Sequence, residues 1–394
     1  MMSFSYISKR HSPEIPAGKY CTKPFQHYSK TIRDWLSAPL RYLDPHWHRP
    51  ALFVSSLRPE DNQDHPRKEY SKRKGPAVSI AQPTRSEQRH VLVTGIHRSG
   101  TTFVGAVLAN VPGMGYVQEP FNPDLGMQGI ETWYPYVRSG MPGEGRYARL
   151  VERLLAGKAR YKKRPGRHGG ILRWVGRKLF GSRDYLQYLM STRFFGSKRL
   201  VLKDPIVSLA SEWLHRRFGM KVLVLMRHPA GFAASTARLG WDFDFSNLTS
   251  QRPLMDDYLG EILRPLDAKS MAHHERAGLL WRCIYTILEE FIRRNPEMKM
   301  MKLEEISKQP LSAFEEIHRF LGLPLTDSTK KLIADSTSPK NPPDAPDGQP
   351  HSLKRNSRSL VESWKRSLDP QNIERIMELA GPLARKYYPR GTGE

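Results

Sequence analysis

The sequence predicts an α/β fold with a central, mainly parallel sheet flanked by helices. Short β-branched runs recur at 90–95 (HVLVTG), 200–203 (LVLK) and 221–226 (KVLVLM). Helical pattern separates them, and a glycine-containing loop joins the first run to a helix. Strands that alternate with helices in this way form βαβ units, which place the strands parallel.

Taken in order, the first strand at 90–95 leads through a loop at 96–102 into a helix over 101–111 (TTFVGAVLANV). A second strand is expected to end near Glu119. The strand at 200–203 leads to a helix over 208–218, and the strand at 221–226 leads to a helix carrying Ser235. Helices are expected at 272–294, 311–321 and 370–387, and a Pro/Asp/Ser-rich loop at 326–350. Residues 1–88 read as a basic, partly disordered extension with a basic run at 67–74 (RKEYSKRK) and one short helix around 30–42. Residues 89–394 form one α/β domain with a helical, basic insertion at about 125–199. There is no internal repeat.

The chain has 394 residues, of which 39% are hydrophobic, enough for a core of ordinary size. Its 63 Lys and Arg against 39 Asp and Glu give a net charge of +24. That excludes an acidic solvating protein and predicts anionic partners without choosing among them. Cys21 and Cys283 alone build neither a disulfide framework nor a zinc site, as expected of a reduced protein. The first twenty residues lack an apolar signal core, and no window approaches the roughly 18 apolar residues that span a bilayer. A soluble, cytoplasmic protein is expected.

The loop Gly95-Ile-His-Arg-Ser-Gly100-Thr-Thr102 lies between a strand and a helix, where backbone N–H groups and the helix's positive end bind anions. Gly95 and Gly100 have Walker A spacing, but position 101 is Thr where a nucleoside triphosphatase needs Lys followed by Ser/Thr. The cation is Arg98, inside the loop. It fits a compact anion better than ATP with magnesium.

Arg98-Ser99-Gly100-Thr101-Thr102 resembles the 5′-phosphosulfate loop of the sulfotransferases that use 3′-phosphoadenosine 5′-phosphosulfate (PAPS). The Arg form is most similar to the tyrosylprotein and carbohydrate branches. A second segment, 221–235 (KVLVLMRHPAGFAAS), resembles the family's 3′-phosphate motif, a strand followed by Arg227 and, eight residues later, Ser235. An arginine at a strand's carboxyl end and a serine on the next helix can converge on one phosphate. The resemblance implies a P-loop-like three-layer fold, PAPS as co-substrate with no metal, and transfer of the sulfuryl group to a hydroxyl by a direct in-line route. The acceptor it implies is a saccharide, a lipid head group or another alcohol.

Such a transfer needs a base for the acceptor proton and cations where negative charge develops. Glu119, in 116–121 (YVQEPF) and 21 residues after Arg98, is similar in place to the family's general base, though a helix-capping or salt-bridged carboxylate reads the same way. Lys203, in 202–205 (LKDP), resembles the family's lysine that stabilises the transferring group, together with Arg98. Asp204 either orients Lys203 or is structural. Lys354, ten residues before Trp364, resembles a C-terminal donor contact, and Arg355 and Arg358 could serve the same phosphates. Residues 298–306 (MKMMKLEEI) resemble a family strand and turn, with Leu303 where Tyr is common and Glu304 structural. His97 and His228 read as hydrogen-bonded scaffold residues and stay outside the catalytic set.

Two other functions compete. A P-loop kinase or hydrolase would need the missing Walker lysine. A non-enzymatic binder of anionic polymer would rest on charge alone, which gives salt-dependent and unspecific affinity. No motif for specific nucleic-acid binding is present. The basic insertion at 146–178 would suit an acidic glycan or peripheral contact with an anionic membrane.

Overall fold

The computed structural model describes residues 89–162, 183–194, 196–197, 199–342, 356 and 361–389. The extension at 1–88, the basic residues 163–182, and Lys354, Arg355 and Arg358 lie outside the described residues. Five strands, β1 (Val91–Gly95), β2 (Met114–Gln118), β3 (Arg199–Lys203), β4 (Lys221–Met226) and β5 (Lys299–Lys302), form one sheet in the order β2-β3-β1-β4-β5. Every pairing is parallel, with Leu92 beside Leu202 on one side and Val222 on the other.

The strands are apolar on both faces because helices cover both. Side-chain alternation divides the core in two. Leu92, Val222 and Val224 point into the larger half, with Phe232 and Ala233 of α5 (Pro229–Leu239), Trp281 and Ile284 of α6 (His273–Arg294), and Ile376 of α10 (Pro370–Tyr387). Val91, Val93, Leu223 and Leu225 point the other way. They meet Val104, Val107 and Leu108 of α1 (Thr101–Ala109), Phe314 and Ile317 of α8 (Pro310–Leu321), and Leu332 of α9 (Asp327–Thr337). Further helices include α2 (Glu144–Leu155), α3 (Arg183–Leu189), α4 (Ser211–Phe218) and α7 (Leu303–Lys308), with shorter helical turns between them.

The strand order places the site. From β1 the chain leaves toward the β2 edge; from β4 it leaves toward β5. The loops after these two neighbouring strands therefore diverge, opening a crevice at their carboxyl ends, where ligands bind in open parallel sheets.

Two regions differ from the sequence expectation. The stretch expected to be a loop at 326–350 contains α9 over Asp327–Thr337, capped by Thr326 Oγ1, which accepts from Thr329 N at 3.2 Å. Its Asp, Ser and Thr content reads as loop, yet these residues also start helices, and burial of Leu332 and Ile333 anchors this one. The insertion is helical only in part. Met127, Ile130, Tyr134, Tyr136 and Val137 are buried in the larger half of the core without forming a helix. No helix among the described residues is long and apolar enough to cross a membrane.

Candidate functional site

The turn after β1 is tight because two glycines allow it. Gly95 has φ +135°, and a Cβ there would lie 2.2 Å from the Leu225 carbonyl oxygen of β4. Gly100 has φ +88°, and its Cβ would meet Leu303 Cδ1 at 2.5 Å. Leu303, at the position where Tyr is common, thus packs against the loop. Ser99 closes the turn by donating Oγ to the Ile96 carbonyl at 2.6 Å. The first N–H groups of α1 have no partner within the helix, so they and the helix dipole face the crevice.

Arg98 and Glu119 adopt φ of +66° and +42°, and Tyr134, beside them, +55°. Such conformations are costly for residues with a Cβ and concentrate where function fixes a side chain's direction. Arg98 Nε donates to Ser235 Oγ of α5 at 3.2 Å, and Arg227 donates to the Arg98 carbonyl at 3.1 Å. The Arg227 carbonyl accepts from Trp281 Nε1 at 2.8 Å. The loop, the arginine after β4 and the serine on α5 are thereby brought together from three parts of the chain.

At the carboxyl end of β3, Lys203 Nζ lies 2.6 Å from Glu119 Oε1. The lysine side chain is only 1% exposed and the glutamate 24%. Burial pulls the Lys203 ammonium down, but the Glu119 charge and hydrogen bond outweigh it, and the net shift is upward. Asn122 Nδ2 donates to the other oxygen, Glu119 Oε2, at 3.1 Å. Of the two roles open for Asp204, the structural one is observed. Its carboxylate accepts from the backbone N–H of Phe121 at 2.7 Å, Ile206 at 2.9 Å and Val207 at 3.3 Å. It ties the turn after β3 to the segment after Glu119, and burial with the nearby Glu119 charge pushes it up to about 7.

Both histidines are built into the scaffold. His97 Nδ1 lies 2.5 Å from the Tyr134 hydroxyl, and burial with the adjacent Arg98 charge lowers the imidazole to about 4. The neutral ring and the tyrosine hydroxyl share one hydrogen bond. His228 stacks on Trp364 at 4.3 Å, accepts from Ala230 N, and is lowered to about 4 by burial, Lys365 and Arg227. Glu304 accepts from His228 N at 2.9 Å and from the Tyr388 hydroxyl at 2.9 Å, so it too is structural. Lys354, the remaining residue proposed from the sequence, lies outside the described residues.

Sequence reasoning missed the second layer. Tyr134 braces His97, Trp241 lies under Arg98 with 5.6 Å from guanidinium carbon to ring centre, and Tyr285 donates to the Leu225 carbonyl at 2.7 Å. None belongs to a spacing that a motif could reveal. Among the described residues no group of three or more His, Cys, Asp or Glu could hold a metal ion.

No curated protein sequence matches the chain. Solved structures that align with it include a sulfotransferase of Mycobacterium avium, at 17% identity over 74% of this chain and 75% of the other, TM-score 0.35. A mouse sulfotransferase complexed with PAP aligns at 13% identity over 76% and 89%, TM-score 0.37. The sulfotransferase domain of the curacin biosynthetic pathway aligns at 15% over 74% and 96%, TM-score 0.36. A family model, the sulfotransferase domain, matches residues 88–387, and the chain belongs to that family.

Proposed function

We propose that the protein transfers the sulfuryl group of PAPS to an acceptor hydroxyl. One observation carries this reading. Arg98, Arg227 and Ser235 converge beside the α1 N-terminus, at the crevice where the paths from β1 and β4 diverge. The fit to PAPS rests on charge and shape. Two guanidinium groups, a hydroxyl and helix N–H groups suit phosphate oxygens, and the Gly95–Gly100 turn has no room for a side chain on either glycine.

In this reading Ser99, Gly100, Thr101 and Thr102 hold the 5′-phosphosulfate, while Arg227 and Ser235 hold the 3′-phosphate. When bound, PAPS supplies a sulfuryl group activated by its anhydride link to phosphate. Glu119 takes the acceptor's proton. Its contacts with Lys203 through Oε1 and Asn122 through Oε2 hold the carboxylate in one orientation. Lys203 and Arg98 meet the charge that develops on the transferring group and the leaving oxygen. Asp204 and Asn122 keep the Glu119 segment in place.

The acceptor in this reading is a hydroxyl of a saccharide, a lipid head group or another alcohol. Arg146, Arg149 and Arg153, exposed on α2, favour an acidic acceptor or an anionic membrane surface nearby. A cytoplasmic site of action suits the buried, unpaired Cys283, whose thiol burial pushes up to about 12.

Calorimetric titration with 3′,5′-adenosine bisphosphate, and in parallel with ATP–magnesium, tests the donor site. Micromolar binding of the bisphosphate that Arg227→Ala abolishes supports the reading and opens an acceptor screen with labelled PAPS. Binding of ATP–magnesium alone would refute it in favour of a kinase or hydrolase.

A further inference from the structure

We infer that Trp241 is a positioning residue for the donor, acting through Arg98; the inference rests on the donor-site reading above. Arg98 is held by one helix at two points. Ser235, within α5, takes the guanidinium Nε at 3.2 Å. Trp241, two residues beyond the end of the same helix, sets its indole ring 5.6 Å from the guanidinium carbon.

The ring is placed firmly enough to serve this purpose. Gly240 ends α5 at φ +61°, its N–H bonding to the Ala237 carbonyl and that of Trp241 to the Thr236 carbonyl, each at 3.0 Å. This is the paired-bond ending that fixes the direction of the chain leaving a helix. The Trp241 carbonyl is held in turn by His273 Nε2 at 2.8 Å, from the first turn of α6. Backbone on both sides of the indole is thus tied to two core helices.

The chemistry explains why an aromatic ring serves here. A guanidinium on a long stem loses much rotamer freedom when ordered, and Arg98 starts from an uncommon backbone conformation. An indole face attracts the cation without using its N–H groups, which all lie in the guanidinium plane. An arginine held over the ring therefore gives none of its N–H donors to it. A carboxylate at the same place would hold the arginine equally well, but it would compete with the phosphate for those donors and cancel the charge.

The test compares Trp241→Phe, Trp241→Leu and site-specific 5-fluoro- and 5,7-difluorotryptophan at position 241, by calorimetric titration with 3′,5′-adenosine bisphosphate. Fluorine withdraws charge from the ring face while barely changing its size. Leu at 241 is expected to weaken binding about five- to tenfold, and Phe by less. The fluorinated rings should weaken it stepwise with fluorine count. Wild-type binding that neither Leu nor fluorine alters would overturn the inference and leave the donor site standing. Loss of binding by Leu with no gradation by fluorine would make Trp241 a packing residue only, which also overturns it. Failure of the wild-type protein to bind the bisphosphate would remove the donor-site reading, and the inference with it.

Discussion

The Glu119–Lys203 pair yields the most demanding prediction, because its two halves differ in exposure. At 2.6 Å separation the attraction is about 6 kcal/mol with an effective dielectric constant of 20. Desolvation of the lysine offsets much of it. Removing one partner is therefore asymmetric. Glu119→Gln leaves an ammonium that is 1% exposed beside a neutral acceptor, and should cost about 3 kcal/mol, the low end for an orphaned buried charge. Lys203→Met leaves a carboxylate that is 24% exposed and still holds Asn122, and should cost about 1 kcal/mol. The double variant should be more stable than Glu119→Gln alone by about 2 kcal/mol, because it contains no orphaned buried charge.

The pH dependence supplies a sign. With Glu119 gone, burial governs Lys203 and lowers it below the ordinary lysine value. The unfolded chain then binds the extra proton, so Glu119→Gln should regain stability as pH rises from about 7 to 10. The wild-type protein, whose folded lysine is raised, should not. Urea unfolding of all four proteins at pH 7 and pH 9.5 measures both effects. Equal costs for the two single variants, additive in the double, together with a flat pH response of Glu119→Gln, would refute the reasoning.

Other outcomes follow from the same geometry. Once an acceptor is found, Glu119→Gln and Lys203→Met should each slow labelled-sulfate transfer by about a hundredfold or more, while bisphosphate affinity changes little. Gly95→Ala should lower stability by about 3 kcal/mol or more, since its Cβ meets a carbonyl at 2.2 Å; Gly113→Ala, at φ +80° with open space, should cost only about 1 kcal/mol in thermal or urea unfolding. Asp204→Asn turns one oxygen into a donor facing backbone N–H groups and should cost about 1–3 kcal/mol, lowering Tm by several degrees. Because His97 titrates near 4 when folded and near 6.5 when unfolded, wild-type stability falls as pH drops through that window; its advantage over His97→Phe should shrink by about 3 kcal/mol between pH 7 and pH 4 in urea titrations.

What the sequence determined by itself is what local pattern controls. The β-branched runs became strands, and the Arg98–Thr102 loop stood out because a strand-to-helix turn at an anion site needs glycine at fixed offsets. The helix over Pro370–Tyr387 was legible in the sequence, whereas α9 was read as loop, because two buried aliphatics outweigh a loop-like composition. Tertiary structure alone decided the rest. It chose the strand order that opens the crevice between β1 and β4, and the partners that side chains find across it. Arg98 meets Ser235 from 137 residues away, and Lys203 meets Glu119 across 84. The assignment of Asp204 to backbone N–H groups, and of Tyr134 and Trp241 to the loop, likewise came from packing. Such contacts leave no periodic trace, because burial and distance are set only when both sheet faces close.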